Sequence, residues 1–177
     1  MKTRVFLVLG IILVLLQFGC SSPPNLIPLS QIDLEDMILA PLPEGYHSGG
    51  TSDNLSILDV PEPLEFVYQE FVRKDGKSAG GMRIYLYESK NDVKEAYEIE
   101  AETLTSISTS HEEIYPFGNN VIISSYTLGD VVVTDLVFSR CYAVVVIRML
   151  DIPDEATIID FGQQLDENIS EYICRPD

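Results

Sequence analysis

Two histidines and two groups of carboxylates are the first side chains to weigh for catalysis or metal binding. His47 stands in the stretch HSGGTS and His111 in the polar run SISTSHEE, neither beside a Cys or Ser motif. No Gly-x-Ser-x-Gly elbow, His-Glu-x-x-His pair or phosphate-cradling glycine loop occurs. Asp33, Glu35 and Asp36, and again Asp151, Asp154 and Glu155, offer the oxygen ligands that calcium takes, but without the spacing of a dedicated loop. Acidic residues at the start of a helix, favoured by its macrodipole, account for both groups more simply. The expectation is therefore no catalytic centre, no cofactor and no metal.

Arginine and tyrosine are more suggestive. Strand alternation places Arg83, Tyr85, Tyr87, Tyr126, Tyr142 and Arg148 on one face of a sheet. Aromatics with arginine are enriched at binding surfaces, the rings for contact area and the guanidinium for pairing with a carboxylate or phosphate. The competing reading is that tyrosine is a good strand residue whose hydroxyl faces water. Six of the nine Lys and Arg residues beyond residue 20 fall between Arg73 and Lys94. They suit either an anion-binding patch or a solvated hairpin tip with the helix start that follows it.

Elements must position these residues. Asp130 to Leu150, DVVVTDLVFSRCYAVVVIRML, is dense in β-branched residues and predicts two strands reversing at Ser139-Arg140. LEFVYQEFVR (64–73) predicts a strand, KDGKSAGG a turn, and Met82 to Glu88 an alternating strand that closes a hairpin. Val121 to Thr127 adds another strand, which with the two valine-rich strands makes a meander. Ser89 with Asp92 three residues on is a capping signal for a helix to about Thr105, its stripe marked by Val93, Ala96, Tyr97, Ala101 and Leu104. Ile158, Phe161, Leu165, Ile169 and Tyr172 recur at helical spacing in a closing helix from Pro153 to Ile173.

The N-terminal 63 residues differ from the rest. Lys2 and Arg4 precede an apolar run from Val5 to Leu16 and the sequence QFGCSS, a run shorter than the roughly 20 residues that span a bilayer. It resembles a bacterial lipoprotein signal, in which a Gly or Ala precedes a Cys that takes diacylglycerol and becomes the mature N-terminus. Gly19 and Cys20 match, while Gln17 and Phe18 stand where that pattern favours Leu and a small residue. The resemblance implies removal of residues 1–19, lipidation of Cys20 with the palmitate-type chains of such proteins, and an extracytoplasmic, envelope-anchored location. A plain secreted protein or an uncleaved anchor are the other readings. Residues 20–63 hold seven of the ten prolines and no Lys or Arg, the composition of a tether. One short helix interrupts it, opened by Ser30 and Asp33, striped by Leu34, Met37 and Ile38, and stopped by Pro41.

The formal charge of the whole chain is −17; without Lys2 and Arg4 it is 9 minus 28, or −19. A field of this sign repels polyanions, so nucleic acid is excluded as an expected partner.

With Cys20 lipidated, Cys141 and Cys174 are an even pair in an oxidising compartment. A strand from Cys141 to Met149 spans about 27 Å and a helix from Pro153 to Ile173 about 30 Å. A helix running back antiparallel to the strand would therefore bring Cys174 to Cys141. Two separate thiols are the alternative.

The order of elements, with LPEGY at 42–46, Gly118 leading a strand, VFSR at 137–140 and a closing helix, resembles bacterial extracytoplasmic sensor-like lipoprotein domains over residues 37 to 173. The extracellular sensor domain of mycobacterial serine/threonine kinases is similar; it commonly has two disulfides and a Gly at the last hairpin, where this chain has Arg140-Cys141. The expected architecture is a single α+β domain over residues 64–177. It has an antiparallel sheet of about five strands, with helices mainly on one face. The expected function is non-enzymatic binding or sensing of an unknown protein or small ligand. A structural subunit of an envelope complex, and a hydrolase with a scattered site, are the rivals.

Overall fold

The computed structural model of this protein describes residues 33–34, 42–53, 61–107, 109–111, 115–152 and 154–174. Cys20, the segment 1–19 and all of the predicted short helix beyond Leu34 lie outside the described residues. Leu34 itself is buried, and its backbone N–H donates to Glu65 Oε1 at 3.4 Å.

Seven antiparallel strands form one sheet: β1 (Tyr46–Ser52), β2 (Glu65–Arg73), β3 (Ser78–Leu86), β4 (Thr109–His111), β5 (Asn120–Leu128), β6 (Val131–Arg140) and β7 (Ala143–Leu150). Helix α1 (Lys90–Ile107) lies between β3 and β4 in the chain, and α2 (Glu155–Ile173) follows β7. The spatial order is β1-β2-β3-β7-β6-β5-β4, so an N-terminal run of hairpins and a C-terminal meander meet where β7 pairs with β3. Five strands follow the hydrophobic pattern of the sequence. The other two are the edges. β1 falls in the stretch expected to be tether and β4 is three residues long.

The expected one-sided packing of the helices does not hold. β7 pairs with β3 and β6 at the centre of the sheet, and its residues Ala143 to Ile147 are all buried. Ala143, Val145, Ile147 and Met149 face α2, whose Ile158, Phe161, Leu165, Ile169 and Ile173 pack against them with Phe71, Ile84, Leu136 and Phe138. Gly162 lets this helix approach closely, since a Cβ there would sit 3.2 Å from Leu136 Cδ1. Val144 and Val146 point the other way, into a second core with Tyr85, Tyr87, Ile122 and Val137, covered by Val93, Ala96, Tyr97 and Leu104 of α1. A strand covered on both faces needs apolar residues at every position, which is why VVVI runs without alternation. Each fully buried aliphatic or aromatic side chain contributes about 1.5–3 kcal/mol.

Helix starts follow their signals. Ser89 Oγ accepts from Asp92 N at 3.1 Å and donates to Asp92 Oδ2 at 2.8 Å, while Asp154 caps α2 by accepting from Thr157 N at 3.0 Å. The β6–β7 reversal falls at Cys141-Tyr142, two residues later than expected, with Cys141 at φ 52°. Cys141 and Cys174 are bonded, Cα to Cα 5.3 Å, which pins this turn to the C-terminal end of α2.

Candidate functional site

Helix α1 covers only half of its face of the sheet. Tyr85, Tyr87, Ile122, Val137, Val144 and Val146 lie beneath it. Further along the same face, toward Leu150 of β7 and Val133 of β6, register places Tyr68, Gly81, Arg83, Tyr126, Asp135 and Arg148 together. This open half is the candidate site.

Its centre is an ion pair. Asp135 and Arg148 are direct cross-strand partners, and Arg148 donates from Nε to Asp135 Oδ1 at 2.7 Å and from Nη2 to Oδ2 at 2.9 Å. The carboxylate is fully buried while the guanidinium side chain is 44% exposed. Such a fork-to-fork contact fixes the guanidinium plane as well as its position. The hydrogen bonds from Arg148 to Asp135 raise the arginine pKa further. Tyr126 also interacts with Asp135; desolvation first, then that carboxylate, pushes its phenol pKa up.

Tyr68 completes the floor. It pairs in register with Arg83, but its ring leans along the sheet over Gly81, where a Cβ would fall 2.5 Å from Tyr68 Cε2 and 2.6 Å from its hydroxyl. Gly81 is in turn the partner of Arg148. A side chain at residue 81 would evict the ring, so glycine is needed here for close approach. Gly80 beside it, at φ 122°, leaves no room for a Cβ against the Arg148 carbonyl. Desolvation raises the Tyr68 phenol pKa, Glu70 adds to the rise, and Arg83 and Arg148 oppose it. Arg83 is held more loosely, with Nη1 3.9 Å from Glu100 Oε1 of α1.

Of the six residues expected on one outward sheet face, Arg83, Tyr126 and Arg148 lie together on it. Tyr85 and Tyr87 have the expected strand parity, but α1 lies on them and leaves 1% and 0% of their surfaces exposed. They pack on each other, ring centroids 6.4 Å apart, and are unable to meet a partner. Burial pushes the Tyr85 phenol pKa up to about 12 and raises that of Tyr87 as well. Tyr142 belongs to the turn rather than to β7, packs at the margin of the α2-side core, and has Lys90 Nζ 5.9 Å above its ring. Sequence reasoning missed Tyr68 and Asp135. Gly80-Gly81, read as part of the turn KDGKSAGG, belong to β3 and hide the close approach of Tyr68, while an aspartate within a valine run was the available signal for the second.

The cation cluster of the sequence does not converge. Lys77 pairs with Asp75, Lys94 with Glu98 and Arg83 with Glu100, on separate elements. His47 lies on the β1 edge, Asp154 caps α2, and Asp151 Oδ1 accepts from Val132 N at 2.9 Å. Among the described residues no group of three or more His, Cys, Asp or Glu is placed to hold a metal ion. No helix among them is long and apolar enough to cross a membrane. A concavity of about 350 Å³ lies apart from this face, between the segment Leu42–Glu44 and α2, lined also by Thr157, Asp160, Phe161 and Gln164.

A further polar corner is structural. Arg140 Nε donates to Ser170 Oγ at 2.7 Å and lies 3.3 Å from Asp166 Oδ1, beside the disulfide. Asp166 is 4% exposed, and desolvation raises its pKa against the opposing backbone N–H of Gly118 and the Arg140 charge.

The chain matches no protein-family model and no curated protein. A solved structure described as a GTP binding regulator from Thermotoga maritima is similar at a TM-score of 0.45 and 13% identity, over 85% of this chain and 93% of that one. At that score the likeness bears on neither ligand nor activity.

Proposed function

We propose that this protein is a non-enzymatic binding module of the bacterial cell envelope, held at the membrane by a lipid on Cys20. It meets its ligand through the half of the sheet that α1 leaves open. The observation that carries this reading is the fully buried Asp135 using both oxygens to fix an exposed guanidinium at Arg148. Burying a carboxylate is costly, and spending it on orienting a surface arginine is what a binding site requires of its supporting residues. The Cys141–Cys174 bond fits an oxidising compartment and hence the extracytoplasmic location. The loss of Tyr85 and Tyr87 to the core leaves less support for a broad tyrosine face docking on an envelope complex.

The test is site-specific photocrosslinking in cells, with a photoreactive residue at Tyr126 or at the exposed Tyr172 of α2. Adducts from residue 126 and none from residue 172 are expected. Adducts from residue 172 alone would place the binding surface elsewhere and overturn the reading. Cys20→Ser is expected to release the protein from membranes, and retention of that variant would contradict the anchor.

A further inference from the structure

The outward edge of Arg148 has unused donors. Nε and one proton of Nη2 serve Asp135, which leaves both Nη1 protons and the other Nη2 proton facing away from the buried carboxylate. Arg83, on the neighbouring strand and displaced by two residues from the partner of Arg148, is a diagonal neighbour at roughly 7–8 Å between Cα atoms. The Tyr68 hydroxyl lies above Gly81, directly across from Arg148. Both guanidinium groups lie close enough to the Tyr68 phenol to act on it, so two arginines and a tyrosine hydroxyl share one part of the surface, and most of their free hydrogen-bonding capacity is donor.

From this grouping we infer that the open half of the sheet binds a small organic carboxylate. The carboxylate takes the outward edge of Arg148 in a planar two-bond contact, its second side is met by Arg83 and the Tyr68 hydroxyl, and its carbon skeleton lies on the Tyr68 ring. The inference rests on the binding reading above and names the ligand class for it. Charge selects a carboxylate over a phosphate. Asp135 and Glu100 already offset the two arginines, and Glu70 lies close enough to Tyr68 to act on its hydroxyl. The three carboxylates already outnumber the two arginines by one, so a monoanion held by directed hydrogen bonds is opposed less than a phosphate dianion, in a chain of net charge −17. Geometry points the same way, because a planar carboxylate matches a guanidinium edge whose plane is fixed from behind.

The experiment titrates the full-length protein, in a detergent with an uncharged headgroup, with benzoate and separately with inorganic phosphate at matched ionic strength. The Arg Nε–H and backbone amide signals are followed by NMR. Benzoate is expected to move the Arg148 Nε–H and the amides of residues 68, 81 and 83 in a saturable, one-to-one titration, with phosphate leaving them in place. Arg148→Lys keeps a cation for Asp135 but loses the planar fork and should bind benzoate about tenfold more weakly, the equivalent of one charge-assisted hydrogen bond. Arg83→Gln leaves the Asp135–Arg148 pair intact, so it serves if the lysine variant fails to fold, and should also weaken binding. Non-saturating shifts, equal affinity in wild type and Arg83→Gln, or phosphate binding as tightly as benzoate would each overturn the carboxylate assignment. If benzoate fails while photocrosslinks from residue 126 persist, the ligand class is wrong and the binding face stands. If both fail, both readings fall.

Discussion

Asp135 and Arg148 face each other across β6 and β7 with the carboxylate wholly buried and the guanidinium half in water, joined by hydrogen bonds of 2.7 and 2.9 Å. The asymmetry predicts unequal mutational costs. Arg148→Met leaves a buried carboxylate without its cation and should cost about 3 kcal/mol, the low end for breaking a buried pair because the guanidinium is partly solvated. Asp135→Asn leaves only a half-solvated cation and keeps an acceptor, so about 1 kcal/mol is expected. Urea unfolding of the two variants checks the order; a larger loss for Asp135→Asn would contradict it.

Tyr85 and Tyr87 offer an internal comparison. Tyr85 Oη donates to Glu100 Oε1 at 3.4 Å, whereas the buried Tyr87 hydroxyl has no hydrogen-bond partner among the described residues. Removing an unsatisfied hydroxyl relieves a desolvation cost, so Tyr87→Phe should stabilise by about 1 kcal/mol. Tyr85→Phe should destabilise by about 0.5–1 kcal/mol through the lost bond. Melting curves showing the opposite signs would mean that the Tyr87 hydroxyl is satisfied in solution.

Asp166 makes stability depend on pH with a sign unusual for an aspartate. Burial raises its pKa in the folded protein above the ordinary value of 3.8. Between that value and the raised one, the folded state holds a proton that the unfolded state has released, so this group's contribution to stability falls as pH rises through the window. Asp166→Asn, which can still accept from the Gly118 N–H, should therefore gain on wild type as pH rises from about 3 toward neutrality. Denaturant unfolding at several pH values measures the difference. A gap that is constant, or that closes with rising pH, would refute the assignment.

Much of the fold was legible in the residues themselves. Valine-rich strands, the Ser89 cap, the stripe of α2 and the approach of Cys174 to the start of the last strand all follow from local propensity, period and length. β1 was not legible, because HSGGT has no apolar alternation and Thr51 as its one β-branched residue, and is ordered by pairing with β2. Placement of α1 was the consequential miss. Its stripe of Val93, Ala96, Tyr97 and Leu104 needed an apolar surface, and Val137, Ile122, Val144 and Val146 supplied one on the face assigned to solvent. The buried tyrosines follow from that, and so does the smaller site around Arg148.

The Cys141–Cys174 bond closes a separation of 33 residues. On the chain-entropy estimate it contributes on the order of 3–4 kcal/mol, so the Cys141→Ala, Cys174→Ala variant should unfold at correspondingly lower urea. Thiol titration of the oxidised, unfolded wild type should detect neither cysteine. Two titratable thiols at these positions would remove the bond from the account.

The central claim is that ligand recognition runs through the half of the sheet left open by α1. Native mass spectrometry of protein extracted from its own membrane, comparing wild type with a Tyr68→Ser, Arg83→Gln variant, tests it most directly. Neither substitution touches the Asp135–Arg148 pair, and native melting behaviour is to be established first. A bound species carried by wild type and missing from the variant is the predicted result. The same species retained at the same occupancy in a stably folded variant would contradict the claim.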